Sequence, residues 1–473
     1  MTKNSRKNKS KMDRQELFEA LPVSKALMTL AGPAIISQLI NLIYNMVDAF
    51  FIGRTGNSYM IAATTLSLTI FLLTVAIANL FGIGGGSLMT RLAGKHRIEE
   101  AKTVSAFSIY GAIVAALSYS ALIGCLLRPI LTLFGASDNT IGDASSYTIL
   151  VIVIGSLPMI LSQTAAHLLR NAGYSGKASI GLSGGGILNI LLDPLFMFVL
   201  LPPGQEVTGA AIATLLSNCV SCVYLVYTCH KVSGEAPVSL SLRDARGISR
   251  RNCRELFTVG IPSCVLVGLL DVGNIFLNMI AATQGDLVLA GLGIVMKIER
   301  IPNALSIGLC QGMIPLVAYN FSSGNHERME ETIRTARRTG LLVAAACIVI
   351  FEVLASPATK VFLNTGRGNA EEIAMTLGYA VLLLRIRCLA SPVQFLNFSS
   401  SYCMQAMGYG SGTLIHAVAR QFAFYIPFLY LFVGLWGVKG LGIALIAGEG
   451  CGGLFAMWLL RRFLQRRTAA EQE

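Results

Sequence analysis

Charged residues are scarce in this chain of 473 amino acids: Asp, Glu, Lys and Arg together make up 13%, about half the roughly 25% of a soluble domain. That shortage excludes a string of water-soluble domains, which would also need polar linkers between them. Apolar runs recur along almost the whole length instead, with 54% hydrophobic residues and a mean hydropathy of +0.64. Histidine is short as well, five in all, which leaves little for a His-rich metal centre. H-E-x-x-H does not occur, so an embedded zinc hydrolase has no motif to rest on. No G-x-x-x-x-G-K-[ST] occurs either, and without that phosphate cradle an ATP-driven pump would need a separate subunit. A cleavable signal is not expected, because the first apolar run is too long for a signal core and follows about 25 mostly polar residues.

What the chain has in abundance is length of apolar run. A helix needs about 20 such residues to cross a hydrocarbon core of roughly 30 Å, and twelve segments qualify: 26–52, 60–82, 103–127, 145–166, 178–201, 207–229, 255–283, 286–318, 339–364, 374–403, 413–435 and 438–460. The prolines at Pro33, Pro262, Pro302, Pro315, Pro392 and Pro427 predict tilt or kinking within them. The eleven cysteines are scattered through these runs and suit packing in lipid. Cys219 and Cys222 form a C-x-x-C with no second ligand pair, so they are assigned to packing rather than to a metal.

The net charge of +12 invites a nucleic-acid partner, but its distribution excludes one. Of the 37 Lys and Arg, Arg54, Arg128, Lys360, Arg367 and Lys439 fall on one side, and Lys297, Arg300, Arg385, Arg387 and Arg420 fall within spans. The remaining 27 lie in the two tails and the loops after spans 2, 4, 6 and 8. That is the positive-inside pattern, and it predicts an even number of spans with both termini cytoplasmic. The basic tail Lys3–Arg14 suits the same topogenic role, with anionic lipid as a further partner.

The two halves repeat at an offset near 230 residues. Pro33, Asn45 and Gly56 return as Pro262, Asn274 and Gly285; Gly173-Tyr174 returns as Gly408-Tyr409; Val207-x-Gly209-x-x-Ile212-Ala213 returns as Val438-x-Gly440-x-x-Ile443-Ala444. With six spans per half the repeats are parallel, related by an axis along the membrane normal, which suits two lobes flanking one pathway. The expected architecture is an all-α membrane protein of twelve transmembrane helices. Its parts are a tail 1–25, an N-lobe 26–229, an inter-lobe loop 230–254, a C-lobe 255–460 and a tail 461–473. The glycine runs Gly84–Gly86 and Gly184–Gly186 are assigned to close helix packing. A secondary transporter is the simplest reading, and a one-lobe channel does not need two bodies.

Several ordered segments resemble the multidrug and toxic compound extrusion (MATE) family. They are Tyr44-Asn45-Met46-Val47-Asp48-Ala49-Phe50-Phe51-Ile52-Gly53, Gly82-Ile83-Gly84-Gly85-Gly86-Ser87, Arg170-Asn171-Ala172-Gly173, Asn189-x-x-x-Asp193-Pro194 and Gly209–Thr214. In the second half Gly308-x-x-Gln311-Gly312-x-x-Pro315, Tyr319-Asn320 and Arg420-Gln421 resemble the MepA-like branch. The resemblance covers roughly residues 25–460. It implies a V-shaped pair of six-helix bundles in a bacterial cytoplasmic membrane, with no enzymatic activity and no cofactor beyond a coupling ion. It also implies export of amphipathic, often cationic, compounds in exchange for H⁺ or Na⁺. A monomer without an obligate protein partner is expected.

Charge inside the spans locates the mechanism independently of the family. An ionisable residue at depth costs about 2.5–3.5 kcal/mol on insertion scales and is a functional candidate by default. The acids there are Asp48, Asp193, Asp271, Glu299, Glu352 and Glu449, while all five bases belong to the second half. Asp48 and Asp193 therefore have no basic partner in their own lobe and must be protonated or hold a cation. At about 1.5 Å per residue, Asp193 lies roughly 22 Å above the inner surface, Thr214 near 20 Å and Asp48 near 27 Å. Asn189 and Asp193 share one helix face, and with Asp48 and Thr214 they supply hard oxygens for Na⁺ or a shared proton. The resemblance implies an N-lobe cation and proton site at these same positions.

In the second half, Asp271 falls close to where some family members carry an acid for a C-lobe cation site. Those members pair it with an acid on span 10, where this chain has Arg385 and Arg387 instead. The alternative is a charge network of Asp271 and Glu299 with Arg300, Arg385, Arg387 and Arg420. Arg385 and Arg387 also keep open a second function, a flippase for a lipid-linked or polyprenyl substrate. His167 and His416 are expected as hydrogen-bonded core residues rather than a proton relay.

Overall fold

The computed structural model describes residues 15–362 and 370–472, and wherever these are regular they are helical. Most of the basic tail (Lys3–Arg14) and Arg367 lie outside the described residues. Among the described residues ten helices are long and apolar enough to span a membrane, and counting each of two bent pairs as one span brings the number to twelve. In chain order they are α1 Val23–Arg54, α2 Tyr59–Gly94, α3 Ile98–Cys125, α4 Ile141–Ile154 with Ser156–Asn171, α5 Ser175–Leu200 and α6 Glu206–Val232. The second half follows with α7 Arg250–Thr283, α8 Asp286–Ser322, α9 His326–Phe362, α10 Glu371–Cys388 with Ser391–Ala406, α11 Gly410–Trp436 and α12 Val438–Arg467. Side-chain caps start several of them. Asn57 accepts from the Tyr59 amide at 2.9 Å, Ser249 from Asn252 at 3.1 Å and Asn325 from Arg328 at 3.1 Å, each satisfying an amide the helix cannot.

Some of the prolines lie within continuous helix and others beside a break. Pro33, Pro262 and Pro315 sit inside unbroken helix, where neighbouring helices can re-satisfy the backbone. The two sharp bends are 46° in α4 and 50° in α10, the latter just ahead of Pro392. The α4 bend falls at Gly155, where a Cβ would lie 2.5 Å from the Val151 carbonyl oxygen. Pro302 follows a one-residue interruption at Glu299, and Pro427 follows a π-helical stretch, Ala419–Tyr425. A second π-helical stretch, Phe196–Leu200, follows Pro194 in α5.

The internal repeat is visible in the backbone. Left-handed residues fall at Gly56 and Gly285, at Gly173 and Gly408, and at Gly204 and Gly437, each pair about 230 residues apart. After α4 the Tyr174 amide returns to the Leu169 carbonyl, and after α10 the Tyr409 amide returns to the Met404 carbonyl, both at 2.8 Å. Both are Schellman closures, and each needs its glycine at positive φ.

Because the span count is even, both ends of the described chain lie on one side, the terminus side. There the lobes pack together. Gly308 and Gly312 of α8 meet Ile35 and Ala31 of α1 so closely that a Cβ at Gly312 would lie 2.4 Å from the Ala31 Cα. Gly84 of α2 meets Gly260 of α7 in the same way. Without a hydrophobic gradient between helices in lipid, such backbone approach supplies the packing energy. Ala26, Leu27, Leu30 and Ala31 of α1 share one core with α8, α9, α10 and α12. By contrast, the cores nearer the far side each belong to a single lobe. Among the described residues the inter-lobe hydrogen bonds lie on the terminus side, as far out as Gln38 to Gln311 at 3.2 Å. The two lobes are closed at that end and divide beyond it.

Two connections are more ordered than sequence suggests. The inter-lobe segment docks on the N-lobe, with a short helix Leu242–Arg246, a bond from Tyr110 to the Leu240 carbonyl at 3.0 Å and one from the Ser239 amide to Ser105 at 2.8 Å. Ahead of α1, Glu16–Ala20 crosses to the C-lobe. Arg328 donates to the carbonyls of Phe18 at 2.8 Å and Leu21 at 2.6 Å, while Phe18 stacks on Tyr319 at 4.9 Å.

Candidate functional site

Asp193 is fully buried on α5, one turn before the π-helical stretch that Pro194 introduces. Its Oδ1 accepts from Asn189 Nδ2 at 3.1 Å, and the same amide reaches Thr214 Oγ1 of α6 at 3.4 Å. The close packing that allows this comes from glycine: a Cβ on Gly185 would lie 1.9 Å from Ser221 Oγ, and one on Gly186 would lie 3.2 Å from Tyr44 of α1. Gly184 faces open space, so only two residues of that run pack helices. In the other run, Gly84, Gly85 and Gly86 all do.

Asp48 approaches from α1. It makes no direct hydrogen bond to Asp193, but the two carboxylates lie within electrostatic reach of each other. Tyr44, one turn before Asp48, and Tyr147 of α4 sense both. Three oxygens in this region are buried without a partner: Asp48 Oδ1, Asp193 Oδ2 and Asn189 Oδ1. No Lys, Arg or His forms an ion pair with either carboxylate among the described residues. Bare oxygens without donors suit a proton or a hard monovalent cation, since an unpaired buried carboxylate is costly. They do not form a group of three or more acidic, His or Cys ligands of the kind a multivalent metal would use.

Beside Asn189 and Thr214 lies a cavity of about 50 Å³, lined also by Gln38, Asn41, Tyr44, Gln163 and Asn218. At roughly 10–15 Å³ per water it holds a few waters or a hydrated ion, and no drug-sized molecule. Most of this amide-rich lining escaped sequence reasoning, although a signal was present. Tyr44 is four residues from Asp48 and Asn218 four from Thr214, so each shares a helix face with a residue already singled out.

The C-lobe charges divide into separate pairs, and of the alternative network of Asp271 and Glu299 with the arginines the Glu299–Arg387 pair is present. Arg387 holds Glu299 in a two-pronged pair at 2.7 and 2.8 Å. Arg420 holds Glu449 of α12 at 3.0 and 2.6 Å, and Arg385 reaches Glu352 at 3.5 Å on a half-exposed face. Asp271 takes no part in these pairs and senses only Arg300. The physical reason is adjacency: α11 packs on α12 and α10 on α8, so the arginines take the acids of the helix beside them. Glu449 is tied further to Asn397 at 2.7 Å, and Asn397 to His416 at 2.9 Å, whose other ring nitrogen meets Ser401 at 2.8 Å.

A family model described as MatE matches residues 33–195 and 262–431, one match in each lobe. The chain is 31% identical over 458 residues to the multidrug export protein MepA of Staphylococcus saprophyticus, covering 96% of this chain and 97% of that protein. It is 29% identical over 457 residues to MepA of Staphylococcus aureus, with 96% and 97% covered. The fold superposes at a TM-score of 0.88 on a solved structure described as the outward-facing conformation of a multidrug resistance MATE family transporter. That match has 22% identity and covers 97% of this chain and 98% of the other.

Proposed function

The chain belongs to the MatE family, and on that premise we propose that it is a multidrug exporter, a transporter rather than an enzyme, driven by exchange with H⁺ or Na⁺. The observation that carries this reading is the base-free oxygen cluster of Asp48, Asn189, Asp193 and Thr214 in the N-lobe. A site with uncompensated carboxylates favours positive charge, which suits hydrophobic cations such as ethidium as cargo. The closed terminus side, taken as cytoplasmic from the distribution of basic residues, makes this an outward-open state of a protein in a bacterial cytoplasmic membrane.

Coupling follows from the two carboxylates. Without an ion they repel, and α1, which carries Asp48, is drawn away from α5, which carries Asp193. With a proton or Na⁺ between them the helices close up. Since α1 packs on the C-lobe through Ala31 and Ile35, its position bears on the meeting of the lobes as well. A ligand shifts such an equilibrium only by its different affinity for the two forms. Release of the drug outward and loading of the ion are then exchanged at one lobe.

The flippase alternative loses its main support, because Arg385, Arg387 and Arg420 are each held by a carboxylate. The test is purified protein in liposomes, with ethidium flux followed under separately imposed pH and Na⁺ gradients. Flux driven by at least one gradient is expected. No flux under either, with transfer of a lipid-linked substrate, would replace this reading with the flippase.

A further inference from the structure

The cavity of the N-lobe has a counterpart in the C-lobe, and the internal repeat locates it residue by residue. Gly185 of α5 stands twelve residues past the turn glycine Gly173, and Arg420 of α11 twelve past Gly408. Asn218 of α6 and Glu449 of α12 stand nine residues past Gly209 and Gly440. Ser221 and Gly452 stand twelve past that same pair, while Gln163 and Phe398 stand ten before Gly173 and Gly408. Gly185, Asn218, Ser221 and Gln163 all line the N-lobe cavity.

Contacts follow the same register, with large and small residues exchanged. In the N-lobe a Cβ on Gly185 would lie 1.9 Å from Ser221 Oγ; in the C-lobe one on Gly452 would lie 3.3 Å from Arg420 Cγ. At the next position Gly186 faces Tyr44 of α1. Its counterpart Gln421 instead crowds Gly273 of α7, the residue that stands for Tyr44. The Arg420 guanidinium lies 5.3 Å over the ring of Phe398, which stands for Gln163. Where the N-lobe keeps glycine beside a cavity, the C-lobe places a cation.

The oxygens differ in the same sense. Asp48, Asp193 and Asn189 each leave one oxygen bare. Both oxygens of Glu449 are taken: Oε1 accepts from Arg420 Nη2 at 2.6 Å, and Oε2 from Arg420 Nε at 3.0 Å and Asn397 at 2.7 Å. Both members of the pair are buried. A guanidinium does not lose its proton in a protein, so this charge cannot be exchanged.

Taking the N-lobe cluster as the ion site, we propose that Arg420 is a tethered cation occupying the equivalent C-lobe site, so that one ion is exchanged in each cycle. The charge of the C-lobe site is then constant, and only the N-lobe responds to the gradient. Arg420→Gly restores the residue found at Gly185 and frees the oxygens of Glu449 for a small cation.

The first test is thermal unfolding of the full chain in detergent, in Na⁺, methylguanidinium or tetramethylammonium at equal ionic strength. In Arg420→Gly, Na⁺ or methylguanidinium should raise Tm by about 2 °C over tetramethylammonium. Arg420→Gly combined with Glu449→Gln should show no such rise. The second test needs no variant, and so stands even where Arg420→Gly does not fold. Exchange of ethidium for one monovalent ion moves no net charge, so in liposomes an imposed membrane potential should leave the gradient-driven flux unchanged. No rise in Arg420→Gly, an equal rise in the double variant, or flux driven by the potential would overturn the proposal. A chain that moves no ethidium overturns the exporter reading instead, and the Tm of Arg420→Gly still decides the C-lobe site.

Discussion

Asn189 Nδ2 lies 3.1 Å from Asp193 Oδ1, one helical turn along α5, and the same amide stands 3.4 Å from Thr214 on the next helix. This one side chain spends its donor on two acceptors and leaves its own oxygen bare beside a bare carboxylate oxygen. A group of that kind organises oxygens for a cation. Asn189→Leu removes both the donor and the bare oxygen, a loss of about 1.5 kcal/mol. The concentration of driving ion for half-maximal efflux should rise roughly tenfold, with Thr214→Val giving a smaller rise. Titration of proteoliposome flux against the driving ion measures it; unaltered half-saturation in both variants would remove them from the site.

The buried pair of Arg420 and Glu449 predicts an asymmetry in stability. Removing one partner leaves the other charged and sealed, at a cost of about 3–5 kcal/mol. Glu449→Gln should therefore lower Tm sharply. Arg420→Met combined with Glu449→Met should recover most of that loss, since a neutral pair of similar volume is tolerated. Thermal unfolding in detergent distinguishes this from a simple sum of two losses.

Glycine at the lobe contact predicts a shift in conformation. Gly312→Val places a side chain against the backbone of α1 at Ala31 and should push the closed end apart. A cysteine introduced at Ser87, fully buried in that contact, should react with a thiol reagent faster in the Gly312→Val background. Equal labelling rates would show that α1 and α8 adjust without opening.

The segment Glu16–Ala20 is held to the C-lobe by Arg328 through bonds of 2.8 and 2.6 Å. Arg328→Ala should release it, seen as faster proteolysis near Leu17 and Phe18 while the spans stay intact. An unchanged cleavage rate would mean that the Phe18–Tyr319 stack suffices.

Much of the fold was legible because lipid imposes a single demand, about twenty apolar residues per crossing, and the segments from 26–52 to 438–460 meet it one by one. The repeat was legible for a similar reason, since glycines such as Gly173 and Gly408 mark backbone turns that admit little else. The facing of Asn189 on Asp193 followed from helical spacing alone. Partner choice across helices did not. Arg420 could reach several acids by composition, and only the packing of α11 against α12 selects Glu449. The prolines marked only one of the two sharp bends, the 50° one beside Pro392; the 46° bend lies at Gly155, which carries no proline signal.

Whether Asp48 and Asp193 act as one ion site is decided by efflux from cells or liposomes for Asp48→Asn, Asp193→Asn and the double variant, with detergent-extracted yield measured alongside. Each single change should abolish gradient-driven export at near-normal yield, and the double should be no worse than either, because all three disable the same site. Gradient-driven export at the unaltered rate in both single variants would contradict the account.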